Sequence, residues 1–160
     1  MDPKTEIERE VRQEGGGVAC FTLKSALDVK WLPLNLPDDV WRVVSAIAYS
    51  LDTKYNKRVF ICVRGSELEA SIDNECAHHI DVCTSACMGA FETLGRNQEG
   101  YVPACHDSCR RIVKKDAYDS LHETYLKLTE ELKKMGYKYT AKFDEWETPP
   151  QGLKVTVWLD

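Results

Sequence analysis

Apolar residues recur at the spacing of an α-helix in four stretches of the chain. The first stretch follows Pro37-Asp38-Asp39, whose carboxylates suit the positive end of a helix dipole. Its apolar positions are Val40, Val44, Ile47, Ala48 and Leu51. The last stretch is the most regular and ends at Gly136; its positions are Tyr118, Leu121, Tyr125, Leu128, Leu132 and Met135. Both patterns predict a helix with one buried side.

Two further helices are predicted between these two, and cysteines share their apolar faces. Ser66 and Glu69 match a capping box, which is typical of a helix start. From there the stripe continues in steps of three or four residues through Leu68, Ile72, Cys76, Ile80, Cys83, Cys87 and Phe91. A shorter stripe follows Pro103 and consists of Cys105, Cys109, Ile112 and Val113.

Strands are predicted where the apolar pattern is continuous or has a period of two. Residues 18–23 form a short apolar run after three glycines, and the run at 59–63 suits a strand covered on both faces. Residues 137–143 and 153–159 alternate apolar and polar positions, with a proline-containing turn between them. The last two stretches predict a C-terminal antiparallel hairpin.

The elements together predict an α+β fold in a single domain over residues 18–160. About four helices should lie on one face of a four-stranded mixed sheet. Residues 1–17 have alternating charges and end in three glycines, which predicts a flexible N-terminal arm.

Charge and composition restrict the functional class. The chain has 160 residues, 43% of them hydrophobic, and a net charge of −5. An acidic balance argues against nucleic acid as the partner, and no apolar run is long enough for a membrane span. The N-terminal residues contain no apolar segment of the secretory kind. We therefore expect an intracellular protein, cytoplasmic or nuclear, whose thiols are reduced.

The repeated Cys-x3-Cys spacing is the main chemical feature. Cys83, Cys87, Cys105 and Cys109 could supply four thiolates to a structural zinc ion, with His79 and His106 as alternates. Zinc sites, however, usually place such residues on turns, and here the cysteines continue stripes of aliphatic residues. We favour the interpretation that these thiols pack as small hydrophobic groups and that the protein has no cofactor. A zinc-stabilised protein is the alternative.

The two Cys-x3-Cys pairs also resemble, at the level of the motif, those of the small mitochondrial intermembrane-space chaperones. The resemblance covers residues 83–109. It implies a disulfide-bridged helical hairpin over that stretch. Those proteins are much smaller than this chain and have no comparable set of strands.

No catalytic motif is present in the sequence. Walker, dinucleotide-binding, Gly-x-Ser-x-Gly and His-Glu-x-x-His patterns are missing, and the adjacent Cys105 and His106 would point apart on a helix. We therefore predict that the protein is not an enzyme. A thiol-dependent enzyme, in which a histidine approaches a cysteine only in the folded chain, is the second alternative.

Four basic residues form the clearest candidate surface. Arg110, Arg111, Lys114 and Lys115 lie beside the Cys105 stripe and could bind an anion or an acidic partner. The ending over 117–160 looks like that of many small accessory proteins of large DNA viruses and phages. This resemblance implies a compact viral accessory protein that acts in a host cell. Our prediction is accordingly a non-enzymatic interaction or regulatory protein with a protein partner.

Overall fold

A single antiparallel sheet forms one layer of the molecule. The computed structural model describes residues 12–14, 18–23, 37–51, 54–56, 58–95 and 99–160. Within them the spatial strand order is β1-β2-β3-β4-β6-β5, and every neighbouring pair is antiparallel. The strands are β1 Arg12–Glu14, β2 Val18–Leu23, β3 Arg58–Arg64, β4 Glu67–Asp73, β5 Lys138–Phe143 and β6 Gly152–Trp158. The α+β class is confirmed, whereas the prediction of a four-stranded mixed sheet is wrong.

Two strands were missed, the short β1 and the central β4, and β4 was predicted as the start of a helix. Leu68 and Ile72 are four residues apart, so they fit a helix as well as one face of a strand. Ala70 lies between them and is also buried, so the true period here is two. Gly65, with φ of 58°, makes the tight turn from β3, and Ser66 belongs to that turn rather than to a helix cap.

The adjacent strand β3 was predicted to be covered on both faces, and that is also wrong. Val59, Ile61 and Val63 are buried, but Phe60 on the opposite face is 49% exposed. The apolar run is therefore a half-buried strand of the kind that antiparallel sheets allow.

Three helices are present in the described part of the chain. They are α1 Asp38–Ser50, α2 Ala77–Thr93 and α3 Val102–Met135, with a short 3-10 turn at Glu99–Tyr101 before the last. The prediction of about four helices is wrong because the two stripes at 105–113 and 118–135 belong to one helix. No glycine or proline interrupts the chain between Pro103 and Gly136, so α3 continues for 34 residues, or about 50 Å.

The main core lies between the sheet and two of these helices. Helices α1 and α3 cover the same face of the sheet and belong to one hydrophobic cluster with it, whereas α2, which was predicted to lie there too, does not. Helix α1 contributes the predicted Val40, Val44, Ile47 and Ala48, while the C-terminal half of α3 contributes Leu121, Leu128 and Leu132. The predicted C-terminal hairpin is confirmed, with Ala141 opposite Val155.

A second, smaller cluster lies where α2 meets the N-terminal half of α3. Its buried members are Tyr55, Ile80, Cys109, Val113 and Ala117, with Cys76, Cys83 and Cys87 packed against them. Helix α3 therefore takes part in both cores.

Of the predicted N-terminal arm, residues 1–11 and 15–17 lie outside the described residues, and residues 12–14 form β1. In the part of the chain that is described, no helix is long and apolar enough to cross a bilayer.

A polar junction joins the loop before β3 to the second cluster. The Tyr55 hydroxyl donates to the Asp116 carboxylate on α3, and Lys54 Nζ lies 3.2 Å from the same group. These two hydrogen bonds hold the pKa of Asp116 below its ordinary value of 3.8, the Tyr55 bond having the larger effect. On α2, His79 Nε2 is 2.9 Å from the Lys54 carbonyl oxygen.

We predict a stability change in acid that depends on Asp116. Because the folded-state pKa is lowered, the carboxylate stabilises the protein above its unfolded pKa, and this contribution is lost as the pH falls through the folded value. Asp116→Asn should therefore be less stable than the wild type at pH 7, and the difference should shrink in strong acid. Urea unfolding at both pH values measures it. An equal difference at both would contradict this origin.

Candidate functional site

The four cysteines of the repeated motif face one another across an antiparallel helical hairpin. Cys83 on α2 is bonded to Cys109 on α3, and Cys87 is bonded to Cys105, with Cα–Cα distances of 5.7 Å in both pairs. The four-residue spacing on each helix places the two bridges one turn apart. The interpretation that these residues pack as reduced thiols is therefore wrong in this structure.

The bridges join α2 to the rest of the fold at a place with little hydrophobic core. Ile80 is the buried residue of α2, whereas Val82 is 56% exposed. At the far end, the rings of Phe91 and Tyr101 stack at 4.1 Å. Because so little apolar surface is buried between the helices, the two disulfides supply much of their connection. The bridged pair of helices α2 and α3 is called the hairpin below.

A third disulfide was not predicted. Cys20 on β2 and Cys62 on β3 are directly opposite in the strand register and are bonded. Their neighbours Phe21 and Ile61 are buried in the main core, so the cysteines belong to the other face of the sheet. The sequence gives both strands but not their pairing, and the pairing alone brings these sulfurs together.

The histidines proposed as alternate metal ligands are not gathered around the hairpin sulfurs. His79 contacts the Lys54 carbonyl and the edge of the Tyr55 ring, at 4.8 Å between ring centroids. His106 is exposed and lines a small pocket beside Cys76. Among the residues described, no group of three or more metal-binding side chains is found.

Cys76 is the free cysteine of the described chain and lies just before α2. Its thiol is partly buried and donates to Gln151 Oε1 at 3.5 Å. Burial raises the pKa of Cys76, and this outweighs the opposing effect of Lys114. A nucleophilic cysteine requires the opposite shift, toward the thiolate.

A polar network fixes the loop that connects β5 and β6. Gln151 is buried, and its side-chain Nε2 donates to the Lys114 carbonyl of α3 at 2.8 Å. Asn74 Nδ2 donates to Gln151 Oε1 at 2.9 Å and to the Ala117 carbonyl at 3.1 Å. The end of β4, the middle of α3 and this loop are thus joined by side-chain amides. The network explains why buried polar residues occur beside the second cluster.

The loop, residues 144–151, forms one wall of an open cleft, and α3 forms the other. At its start, the Asp144 amide donates to the Gly152 carbonyl at 3.0 Å, and a Cβ at residue 152 would collide with the Asp144 carboxylate. Farther along, Glu147 forms an ion pair with Lys114, and the Thr148–Pro149 peptide bond is cis. Trp146 lies between Asp144 and Glu147 in the sequence of this loop, and 86% of its surface is exposed.

The resulting space, called the tryptophan cleft below, has a volume of about 1070 Å³. Its α3 wall carries all four residues of the predicted basic patch, together with Tyr118 and two carboxylates. The lining residues are Asp107, Arg110, Arg111, Lys114, Lys115, Tyr118, Asp119, Trp146, Glu147, Thr148 and Pro149. The sequence therefore identified one wall of the cleft but not the other, because a tryptophan in a loop has no periodic neighbours that would reveal its exposure.

The four basic side chains are not equivalent in their surroundings. Lys114 is paired with Glu147 and is largely buried, and Lys115 lies 3.3 Å from Asp119. Arg110 and Arg111 are exposed, and neither has a hydrogen bond or ion pair with any residue that the structure describes. These two guanidinium groups are the ones that can contact a ligand without first giving up an internal partner.

Comparison of the chain with protein-family models, with curated proteins and with solved structures found no match.

Proposed function

We propose that this is a non-enzymatic interaction protein that binds a protein partner in the tryptophan cleft. The observation that carries the proposal is Trp146, a large aromatic side chain with 86% of its surface exposed beside two unpaired arginines. Tryptophan and arginine are the residue types most enriched among those that dominate the energy of protein interfaces. An isolated exposed tryptophan otherwise leaves apolar surface in water at a free-energy cost.

The cleft is also suited to binding because its walls are rigid. Helix α3 is anchored in the main core through Leu121 and Leu128, and the loop is held by Gln151 and by the Lys114–Glu147 ion pair. Preorganised walls lower the entropic cost of binding. The state of the cysteines supports the non-enzymatic character. Burial raises the pKa of the free Cys76 thiol, and the other described cysteines are in disulfides, so none of them is an activated nucleophile.

The test compares partner capture by the wild type with capture by Trp146→Ser. Because Trp146 contributes no buried contact to the fold, the variant should remain folded and lose the partner. Leu94→Ser is the matched control, since Leu94 is also an exposed apolar residue, at 70%, but lies at the end of α2 away from the cleft. Quantitative mass spectrometry of proteins retained from cell extract measures both. Identical sets retained by wild type and Trp146→Ser would contradict the proposal.

A structural zinc protein is the second candidate, and one observation favours it. The structure brings together Cys83, Cys87, Cys105 and Cys109, which are the four residues predicted as ligands. In a reduced state the same four thiols could bind zinc, which prefers such donors. Native mass spectrometry of protein purified without a tag distinguishes the two states, since zinc adds mass whereas two disulfides remove four hydrogens.

Native mass spectrometry of the cysteine state also bears on the cellular location of the protein, which stays a prediction. Disulfides persist in oxidising environments and are rare in the cytosol and nucleus. The three bridges therefore favour a site of action that is more oxidising than the cytoplasmic or nuclear location predicted from the sequence. A role as a viral accessory protein, suggested by residues 117–160, is also still a prediction.

A further inference from the structure

We propose that the segment bound in the tryptophan cleft is an acidic stretch of protein with an apolar or aromatic side chain among its carboxylates. This inference rests on the proposed function and adds the chemistry of the partner to it. It follows from the distribution of charge in the cleft, from the geometry of the two arginines and from the position of Trp146.

The charge available to a ligand in the cleft is positive, although the whole chain carries −5. Glu147 pairs with Lys114, and Asp119 pairs with Lys115, so these four residues together add no net charge to the cleft. Arg110 and Arg111 then remain against Asp107, which forms no ion pair with either arginine within the described chain. A local positive site on an acidic surface attracts and orients a negative segment.

The arginines are suited to carboxylates in particular. A guanidinium offers a planar set of donors that matches a carboxylate in a bidentate arrangement. Arg110 and Arg111 are consecutive on α3, so their side chains leave the helix about 100° apart. Both line the cleft, so they can contact acidic groups at separate positions of one extended segment. Trp146 on the opposite wall offers an apolar face to a side chain between those positions.

Single-stranded nucleic acid is the competing occupant, because tryptophan and arginine also bind stacked bases and phosphates. Asp107 lines the same cleft and forms no ion pair within the described chain. A nucleic acid carries a charge at every phosphate and would bring one of them against this carboxylate, whereas an acidic peptide can place a neutral residue opposite it. The charge pattern therefore favours the peptide.

Selection from a library of short random peptides tests the inference on the intact, oxidised protein. We expect acidic sequences with an apolar or aromatic residue to be enriched. The most enriched peptide is then synthesised, and its binding should weaken as salt rises and fall at least about tenfold in Arg110→Glu/Arg111→Glu. Arg42→Glu is the control, since Arg42 lies on α1 outside the cleft and should bind as the wild type does.

The remaining outcomes separate the two proposals. Enriched peptides that are neutral or basic, yet lose binding in Trp146→Ser, would overturn the acidic partner and leave the interaction function in place. Tighter binding of an oligothymidylate than of any peptide, dependent on Arg110 and Arg111, would overturn the acidic protein segment in favour of nucleic acid. If no selected peptide depends on Trp146, both proposals fail. Circular dichroism of each variant establishes that a loss of binding does not reflect unfolding.

Discussion

Replacing Cys87 and Cys105 by serine should lower the free energy of unfolding by about 3 kcal/mol, because the bridge closes a loop of 18 residues. The loss should be concentrated in α2. Ile80 is the residue that this helix buries, so without this bridge the amides of α2 beyond Cys83 should exchange with solvent much faster than those of β3. Denaturant unfolding and hydrogen exchange by mass spectrometry measure the two effects.

The sheet disulfide provides the matched control. Cys20→Ser/Cys62→Ser removes a bridge between two strands that already pair over six residues, from Val18 with Arg64 to Leu23 with Val59. Exchange in α2 should be unchanged in this variant. If α2 beyond Cys83 exchanges slowly in Cys87→Ser/Cys105→Ser as well, contacts other than the Cys87–Cys105 bridge hold that part of the helix.

A second large effect is expected in the main core. Leu128 on α3 is fully buried in the cluster that joins α1, α3 and the sheet, so Leu128→Ala should destabilise the protein by about 2 to 5 kcal/mol through lost burial and the cavity left behind. Its neighbour Leu126 is 51% exposed on the same helix, and Leu126→Ala should change stability by less than about 0.5 kcal/mol.

Thermal and denaturant unfolding of the two leucine variants measures this difference directly. Both substitutions remove the same atoms and leave helix propensity equally altered, so the difference reports burial alone. Equal losses in the two variants would contradict the burial of Leu128 between α3 and the sheet.

Much of the fold could be predicted because its periodicity is local. Helix α1 has an acidic first turn and a regular stripe, and the β5–β6 hairpin has clear alternation on both sides of a turn. In these segments the local pattern and the tertiary contacts favour the same structure. The packing of α1 and α3 on one sheet face follows from the same amphipathic patterns.

The central strand β4 could not be predicted in this way. Its pattern is ambiguous at Leu68 and Ile72, and its strand conformation depends on β3 and β6, which pair with it on both sides. For example, Ala70 of β4 pairs with Val155 of β6, which lies more than eighty positions later in the chain. A local capping signal cannot outweigh hydrogen bonding along both edges of a strand.

The candidate site was predicted only in part. The basic residues of α3 follow from the sequence, but their division into paired lysines and unpaired arginines depends on Glu147 in a distant loop. The four-residue spacing of the cysteines shows that each pair shares one face of a helix, but it does not show which residues lie opposite that face. The apolar residues of α2 are spread around the helix and do not form one broad face, which indicated that a hydrophobic contact alone would hold it weakly.

Because α3 is one continuous helix, its folding affects how the two hairpin disulfides form. The C-terminal half of this helix is buried against the sheet without any cysteine, so it can form before oxidation begins. The N-terminal half continues the same helix and displays Cys105 and Cys109 one turn apart. When α2 lies antiparallel to it, each of these sulfurs faces a single partner, so the alignment of the two helices should select the native disulfides.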